Sequence, residues 1–141
     1  TSYCGKWIYH SGWYPDRKIR LWDRTIGQWE GENPHDKVVV NEGISISHLR
    51  GDLLHYSFPT IRSHVKTANT FSEIAADEAI AKGKKVNILF HIILNPIWTF
   101  FNRYIIRLGF LDGFRGFVIS VLSAYSNFLK YTKIWFKSRG H

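Results

Sequence analysis

The feature that most constrains the fold is the stretch of residues 94–136, in which two apolar, aromatic-rich segments flank a glycine-rich turn. In the first segment, apolar residues recur at intervals of three and four, which is the period of an amphipathic helix. They are Ile97, Phe100, Phe101, Tyr104, Ile105 and Leu108. Pro96 suits the first turn, where its missing N–H costs no hydrogen bond. Gly109 is expected to end the helix in a left-handed conformation.

The second segment predicts a helix that begins near Asp112, whose carboxylate can accept hydrogen bonds from the free N–H groups of a first turn. Its apolar stripe consists of Val118, Val121, Leu122, Tyr125, Phe128, Leu129, Trp135 and Phe136. Lysines follow in the last turns, where the helix dipole favours cations. The two helices together predict an aromatic-rich amphipathic hairpin.

The sequence does not show what the apolar faces of this hairpin contact. Neither apolar run reaches the roughly 20 residues that a membrane-spanning helix needs. Basic residues beside aromatic stripes are typical of helices that lie in a membrane interface. A hairpin that packs on a soluble core or on a second copy of the chain explains the same pattern.

The rest of the chain divides at Phe58 and Pro59, where the composition changes. Alternating or β-branched runs before this point predict strands at residues 6–9, 18–22, 38–40, 44–47 and 52–56, and residues 27–31 are turn-like. After it, Thr70 and Glu73 have the spacing of a capping box, and Gly83 offers a helix end. We therefore predict an α+β fold with short mixed strands over residues 1–58, followed by three helices over residues 59–141.

Composition excludes several kinds of site. A single cysteine, Cys4, allows no internal disulfide and no zinc cluster. No glycine-rich phosphate loop and no serine nucleophile elbow occurs. The net charge is +8, but the basic residues of the C-terminal half lie beside apolar stripes rather than in a dense patch. We therefore expect no nucleic-acid partner.

Two candidates for chemistry are a dipeptide and an arginine. His35 and Asp36 stand at the start of a predicted strand, where a carboxylate can take a proton from a hydroxyl nucleophile. A turn aspartate beside an exposed histidine is the alternative. Arg20, on a predicted alternating strand, can pair with a phosphate or can belong to a solvated basic face.

The remaining candidates are aromatic residues and a second histidine. Trp22 and Trp29, like Trp7 and Trp13, can stack on sugar rings, or they can be part of the core. His55 ends a predicted strand and can ligate a metal or serve a structural role.

An ordered set of short motifs resembles the C-terminal part of the family 2 glycosyltransferases, of the lipopolysaccharide core type that is also called beta-1,4-glucosyltransferase-like. The downstream motifs are Asn95-Pro96 with Phe100-Phe101, Leu108 through Gly113, Arg115-Gly116-Phe117, and Phe128 through Tyr131. The upstream motifs are Gly5-Lys6-Trp7, Tyr14-Pro15-Asp16, Arg20-Leu21-Trp22, Gly27-x-Trp29, His35-Asp36 and His55-Tyr56-Ser57.

The resemblance implies the second half of a GT-A fold. In such enzymes the first half carries an Asp-x-Asp motif that holds a divalent Mg or Mn ion and the donor diphosphate. This sequence contains no Asp-x-Asp and begins at Thr1 rather than at a methionine. We therefore expect a fragment that holds no metal and is inactive alone.

The resemblance also implies roles for the candidates. By position, Asp36 corresponds to the base of an inverting transfer, beside His35, although the family more often has His-Glu there. Arg20 is expected near phosphates, Trp22 and Trp29 near the substrate sugars, and His55 in the same cleft.

The implied partners are a nucleotide-sugar donor, a lipid-linked glycan acceptor and a membrane surface, with a location on the cytoplasmic face of the inner membrane. A non-catalytic module for membrane docking or homodimer formation is the alternative function.

Overall fold

The computed structural model describes residues 1–31 and 37–140, and the α+β fold that the sequence predicts is confirmed. Five strands are short: β1 (Ser2–Tyr3), β2 (Lys6–Trp7), β3 (Gly27–Glu30), β4 (Lys37–Val40) and β5 (Tyr56–Phe58). Three α-helices follow: α1 (Ile61–Ala81), α2 (Asn95–Phe101) and α3 (Phe114–Lys137). Strand β5 ends at Phe58, and helix α1 begins at Ile61.

The chain forms two compact units. The helical unit comprises Thr1–Pro15 and Leu54–His141, and the β-hairpin unit comprises Asp16–Leu53. In the helical unit, β1 lies at the centre of a three-stranded mixed sheet, antiparallel to β2 and parallel to β5. In the β-hairpin unit, β3 and β4 pair antiparallel, from Gly27 opposite Val40 to Glu30 opposite Lys37.

Several strand predictions are wrong in position. Residues 18–22 and 44–47 form no strand, whereas the predicted turn at residues 27–31 contains β3. The strand expected at residues 52–56 begins only at Tyr56. Alternation favours a strand only where a neighbouring backbone completes the ladder, and the sequence does not show which segments find one.

Helix α1 begins well before the predicted cap. Thr60 is its N-cap, where Thr60 Oγ1 accepts a hydrogen bond from the backbone N–H of Ser63 at 3.1 Å. The predicted cap, Thr70, is inside the helix and donates its hydroxyl to the Lys66 carbonyl. The end is close to the prediction, since α1 stops at Ala81 and Gly83 has a φ of +70°.

The predicted helical hairpin is present, but part of its first arm is π-helical rather than α-helical. Helix α2 is flanked by π-helical segments at Ile88–Leu94 and Asn102–Ile106, and Pro96 lies in its first turn as predicted. The side-chain amide Nδ2 of Asn127 on α3 donates to Thr99 Oγ1 of α2 at 2.6 Å. We call residues 88–137 the helical hairpin. Within the described residues, no helix has the length and apolar character needed to cross a membrane.

Two predictions for the turn of the helical hairpin are wrong. Leu108, not Gly109, adopts the left-handed conformation, with φ of 54°. Gly109 is needed for space, because a Cβ there would lie 2.6 Å from Ser11 Oγ and 2.7 Å from the Arg103 carbonyl. Asp112 does not cap α3, whose N-cap is Gly113. The short 3₁₀ turn Gly109–Asp112 instead turns the Asp112 carboxylate toward the N-terminal segment.

The core of the helical unit joins the first strand to α3. Tyr3, Ile8 and Ile119 are almost fully buried and pack together. Helix α1 contributes a buried line at every fourth position, consisting of His64, Ala68, Ser72 and Ala76. Its acidic residues Glu73 and Asp77 pair with lysines of α3. Because Tyr3 and Ile8 lie in this core, the N-terminal segment is an integral part of the helical unit.

Candidate functional site

The β-hairpin unit brings two of the predicted site residues together. Trp29 on β3 is 58% exposed, and its ring lies edge-on to that of Trp22 with the centroids 5.5 Å apart. Gly27 makes this approach possible, since a Cβ at Gly27 would lie 3.2 Å from Trp22 Cδ1 and 3.0 Å from Val40 Cγ1. Two adjacent indole rings offer apolar faces on which the C–H groups of a sugar can stack.

Arg20 belongs to the same unit. Its side chain is exposed and makes no hydrogen bond or ion pair with the residues that the structure describes. The turn after it is fixed by Asp23, whose carboxylate accepts from the backbone N–H and the hydroxyl of Thr25 at 2.8 and 2.7 Å. The Thr25 backbone hydrogen bond is the main cause of the lowered pKa of Asp23.

His35 and Asp36 lie outside the described residues. In the sequence they directly precede Lys37, the first residue of β4, which pairs with Glu30 at the end of β3. Their predicted role as the proton-accepting pair therefore stays a prediction.

His55 belongs to the helical unit. The ring is exposed, and its Nδ1 lies 3.0 Å from Ser57 Oγ. The backbone carbonyl of His55 accepts from the N–H of Ser2 at 2.7 Å, beside the pairing of β1 with β5. A structural position at the edge of the sheet thus accounts for the contacts of His55.

Sequence reasoning missed a carboxylate that holds the N-terminal segment. Asp112 is 6% exposed and accepts from the backbone N–H groups of Tyr9 and His10 at 3.2 and 2.9 Å. The His10 ring Nδ1 lies 3.1 Å from the same carboxylate. These partners are about a hundred residues apart in the chain, so no local spacing could reveal the contact.

A buried histidine was also missed. His64 is 7% exposed, its ring stacks on Phe58 with centroids 4.3 Å apart, and its Nδ1 lies 3.1 Å from the Tyr3 hydroxyl. Burial, with a smaller contribution from the Arg103 cation, lowers the pKa of His64 to about 4. Burial likewise raises the pKa of Tyr3 to about 12. Both groups are therefore neutral at pH 7, as an apolar setting requires.

The sequence did contain one signal for His64. It shares a four-residue spacing with Ala68, Ser72 and Ala76, and small residues at that interval mark a close-packed helix face. Had the helix been predicted to begin after Thr60 rather than Thr70, this spacing would have predicted that His64 is buried.

The described residues, 1–31 and 37–140, contain no group of three or more histidine, cysteine, aspartate or glutamate side chains placed to hold a metal ion.

Curated relatives give the clearest indication of function. Over 123 residues the chain is 32% identical to an uncharacterized glycosyltransferase of Rickettsia typhi. The match covers 82% of this chain and 42% of the relative. Relatives of the same description in Rickettsia prowazekii and Rickettsia bellii are 35% and 36% identical over 104 residues, 71% of this chain. The chain is similar to glycosyltransferases.

The chain spans less than half the length of these relatives, 42% of the first and 35% of the other two. No family model matches the chain, and no solved structure does.

Proposed function

We propose that this chain is the C-terminal, acceptor-side part of a family 2 glycosyltransferase of GT-A type. The whole enzyme would transfer a sugar from a nucleotide-sugar donor to a lipopolysaccharide or surface-polysaccharide acceptor. The similarity of most of the chain to the Rickettsia glycosyltransferases carries this proposal. The ordered motifs, from Gly5-Lys6-Trp7 to Phe128-Leu129, support the narrower assignment to family 2.

In this proposal the aromatic pair Trp22 and Trp29 binds the substrate sugar. The ring of Trp29 is exposed and that of Trp22 is half-buried, and the planes of the two rings are nearly perpendicular. A sugar presents apolar C–H groups on the faces of its ring and hydroxyls at the rim. The pair would fix the plane of the sugar, while Arg20 in the same unit would bind a phosphate of the donor or acceptor.

The proposed chemistry uses Asp36 as a general base. Its carboxylate takes the proton of the acceptor hydroxyl as that oxygen forms a bond to the anomeric carbon of the donor sugar. The bond from this carbon to the diphosphate oxygen breaks on the opposite face, and the nucleotide diphosphate leaves with the electron pair. The configuration at the anomeric carbon is therefore inverted. His35 would orient the carboxylate.

A substitution series in the longer protein tests the base. Asp36→Asn removes the proton acceptor at nearly constant volume, so we expect kcat to fall about 10²- to 10⁴-fold. Asp36→Glu is expected to retain transfer, because the family more often has glutamate at this position. The readout is the release of nucleotide diphosphate with a fixed donor and acceptor.

Asp52→Asn is the matched control, since Asp52 is an exposed carboxylate in the same unit. Asp52→Asn should transfer at the wild-type rate. If Asp36→Asn transfers sugar as fast as Asp52→Asn, Asp36 is not the base.

The sugar platform has a separate test. Trp29→Ala removes the more exposed ring, and we expect KM for the substrate sugar to rise about tenfold, the equivalent of about 1.4 kcal/mol of stacking. Leu21→Ala is the control, because Leu21 is 78% exposed and lies next to Trp22. An equal change of KM in both variants, or in neither, would remove Trp29 from the platform.

A further inference from the structure

Over residues 88–128 of the helical hairpin, every charged side chain forms a hydrogen bond with another residue of the chain. Residues 88–128 contain four of them. Arg103 donates to the Ser11 carbonyl at 2.8 Å, and Arg115 donates to the Cys4 carbonyl at 3.1 Å. Asp112 binds the backbone of Tyr9 and His10 as described above. Arg107 Nε donates to the side chain of Asn102, at 3.1 Å from its Oδ1.

Large apolar side chains dominate the exposed surface of the same residues. The most exposed are Phe114 at 77%, Phe90 at 62% and Trp98 at 60%. The others, all at least 39% exposed, are Ile88, Leu89, Ile93, Leu94, Ile97, Phe101, Ile105, Ile106, Leu108, Phe110, Leu111, Phe117, Val121, Tyr125 and Phe128. We call this set the apolar face. Monomeric soluble proteins rarely expose so many neighbouring apolar side chains without a partner.

Ring contacts join the two arms of the hairpin within this face. The ring of Phe117 on α3 lies 5.8 Å from that of Phe100 on α2 and 5.7 Å from that of Tyr104. Phe117 also stacks on Phe114 at 6.1 Å, and Phe110 lies 6.3 Å from Tyr104. These contacts connect Phe100 and Tyr104, which lie beneath the apolar face, with three of its members, Phe110, Phe114 and Phe117.

Lysines border one end of the apolar face. Lys84 and Lys85 are exposed just before the first helical turn at Ile88. Early in that arm, the His91 ring lies 5.1 Å from the ring of Tyr131 on α3, and Lys130 Nζ lies 5.7 Å from the Tyr131 centroid. His91, in the arm that follows Lys84 and Lys85, thus lies next to Tyr131, the residue after Lys130, and we call these three lysines the basic end.

The sequence around the face is almost free of negative charge. Beyond Glu78 the chain contains a single acidic residue, Asp112, which is buried. An apolar surface with a cationic border matches an anionic lipid bilayer, where aromatic side chains enter the headgroup region and lysines pair with phosphates. A second copy of the chain would bring the same lysines and the same net charge of +8 to the contact.

We propose that the apolar face is a docking surface for an anionic lipid bilayer, with the helical hairpin lying in the interface plane and the basic end on the lipid phosphates. Docking is a property of the chain apart from sugar transfer. It would hold the chain at a membrane surface, where lipid-linked acceptors reside.

Vesicle flotation of the chain tests the docking. We expect binding to vesicles of phosphatidylcholine mixed with the anionic lipid phosphatidylglycerol, weak binding to phosphatidylcholine alone, and a loss of binding as salt is raised. Lipids brominated near the headgroup should quench the fluorescence of Trp98. Trp98→Phe should bind normally and lose most of this quenching.

Paired substitutions locate the surface. Phe114→Ser and Trp98→Ser should each weaken binding about tenfold, whereas Phe71→Ser, an exposed aromatic on α1, should not. Lys84→Glu with Lys85→Glu should weaken binding at least about twentyfold. Arg62→Glu with Lys66→Glu changes the net charge equally on exposed positions of α1 and should have a much smaller effect.

Two results would overturn the proposal. One is equal vesicle binding by Phe114→Ser, Trp98→Ser and the wild type. The other is a dimer in sedimentation velocity that Phe114→Ser dissociates, which would make the face a contact between copies. Neither measurement depends on enzymatic activity, so the docking and the sugar transfer can fail separately.

Discussion

At the scale of single residues, the contacts of a side chain are decided by packing as well as by its own chemistry. Trp22 and Trp29 were each selected as a candidate for stacking on a sugar, which stays a prediction, and their rings are neighbours, which the sequence did not show. Asp112 was predicted to cap a helix, yet its carboxylate binds backbone N–H groups of Tyr9 and His10. A side chain in a turn has several possible partners, and the choice depends on which distant segment packs there. That information is not local in the sequence.

The buried His64 predicts how stability depends on pH. Its pKa is about 4 in the folded chain, against an ordinary value of 6.5, so between these values the unfolded chain binds a proton that the folded chain does not. Its contribution to the unfolding free energy is therefore complete above pH 6.5 and is lost as the pH falls toward 4. We expect a loss of about 2–3 kcal/mol from this group, measured by urea denaturation at pH 7 and pH 4.5.

Two variants isolate the contribution of His64. His64→Phe should be less sensitive to pH over this range, whereas His55→Phe, at an exposed position, should retain the wild-type dependence. If His64→Phe loses as much stability between pH 7 and pH 4.5 as the wild type, the effect arises elsewhere.

At the scale of elements, the strongly periodic helical hairpin was predicted well, whereas only the strands at residues 6–9 and 38–40 were predicted close to their positions. The apolar stripes of α2 and α3 are internal to each helix, so they can be read from the sequence. The two- to four-residue strands depend on partners, as the pairing of β1 with the distant β5 shows. The start of α1 was misplaced because the spacing of a capping box also occurs inside helices, where Thr70 bonds to Lys66.

The contact between the turn of the helical hairpin and α3 depends on Gly116. A Cβ at this position would collide with the carbonyl oxygen of Gly109, which is backbone and cannot rotate away. Gly116→Ala should therefore lower the unfolding free energy by at least about 2 kcal/mol, measured by denaturant titration. Ser126→Ala, farther along α3, should change it by less than about 0.5 kcal/mol. Equal stability of the two variants would contradict the close packing.

The packing of α1 on α3 includes an ionic cluster. Glu73 pairs with Lys137 and, at 2.8 Å, with Lys133, and Asp77 pairs with Lys137 at 2.6 Å. The hydrogen bonds from Lys133 and Lys137 lower the pKa of Glu73 to about 2. Glu73 therefore stays charged in mild acid, and its contribution to the unfolding free energy is lost only as the pH falls below the ordinary range of a glutamate toward 2.

Salt should weaken this cluster, because exposed ion pairs are screened. We expect 0.5 M NaCl to lower Tm less in Glu73→Gln than in the wild type or in the control Glu78→Gln, as followed by circular dichroism. The same salt response in all three proteins would show that the cluster contributes nothing to stability.

At the scale of the whole molecule, the α+β class followed from the sequence, whereas the division of the chain into units did not. The N-terminal segment joins a helical unit formed mainly by the last 88 residues, through Asp112, Arg103 and Arg115. Contacts across such separations leave no local pattern. The β-hairpin unit carries the candidate sugar platform, and the helical unit carries the proposed docking surface. Recognition of a glycan and attachment to a lipid surface would thus belong to different units.

The central claim is sugar transfer with inversion, and the product tests it most directly. The longer protein should be incubated with a set of nucleotide sugars and a lipopolysaccharide core acceptor, and the new linkage examined by proton NMR. We predict a glycosylated acceptor whose anomeric configuration is opposite to that of the donor. A product that retains the donor configuration would contradict the role of Asp36 as a base, and the absence of transfer from every donor would contradict the proposed function itself.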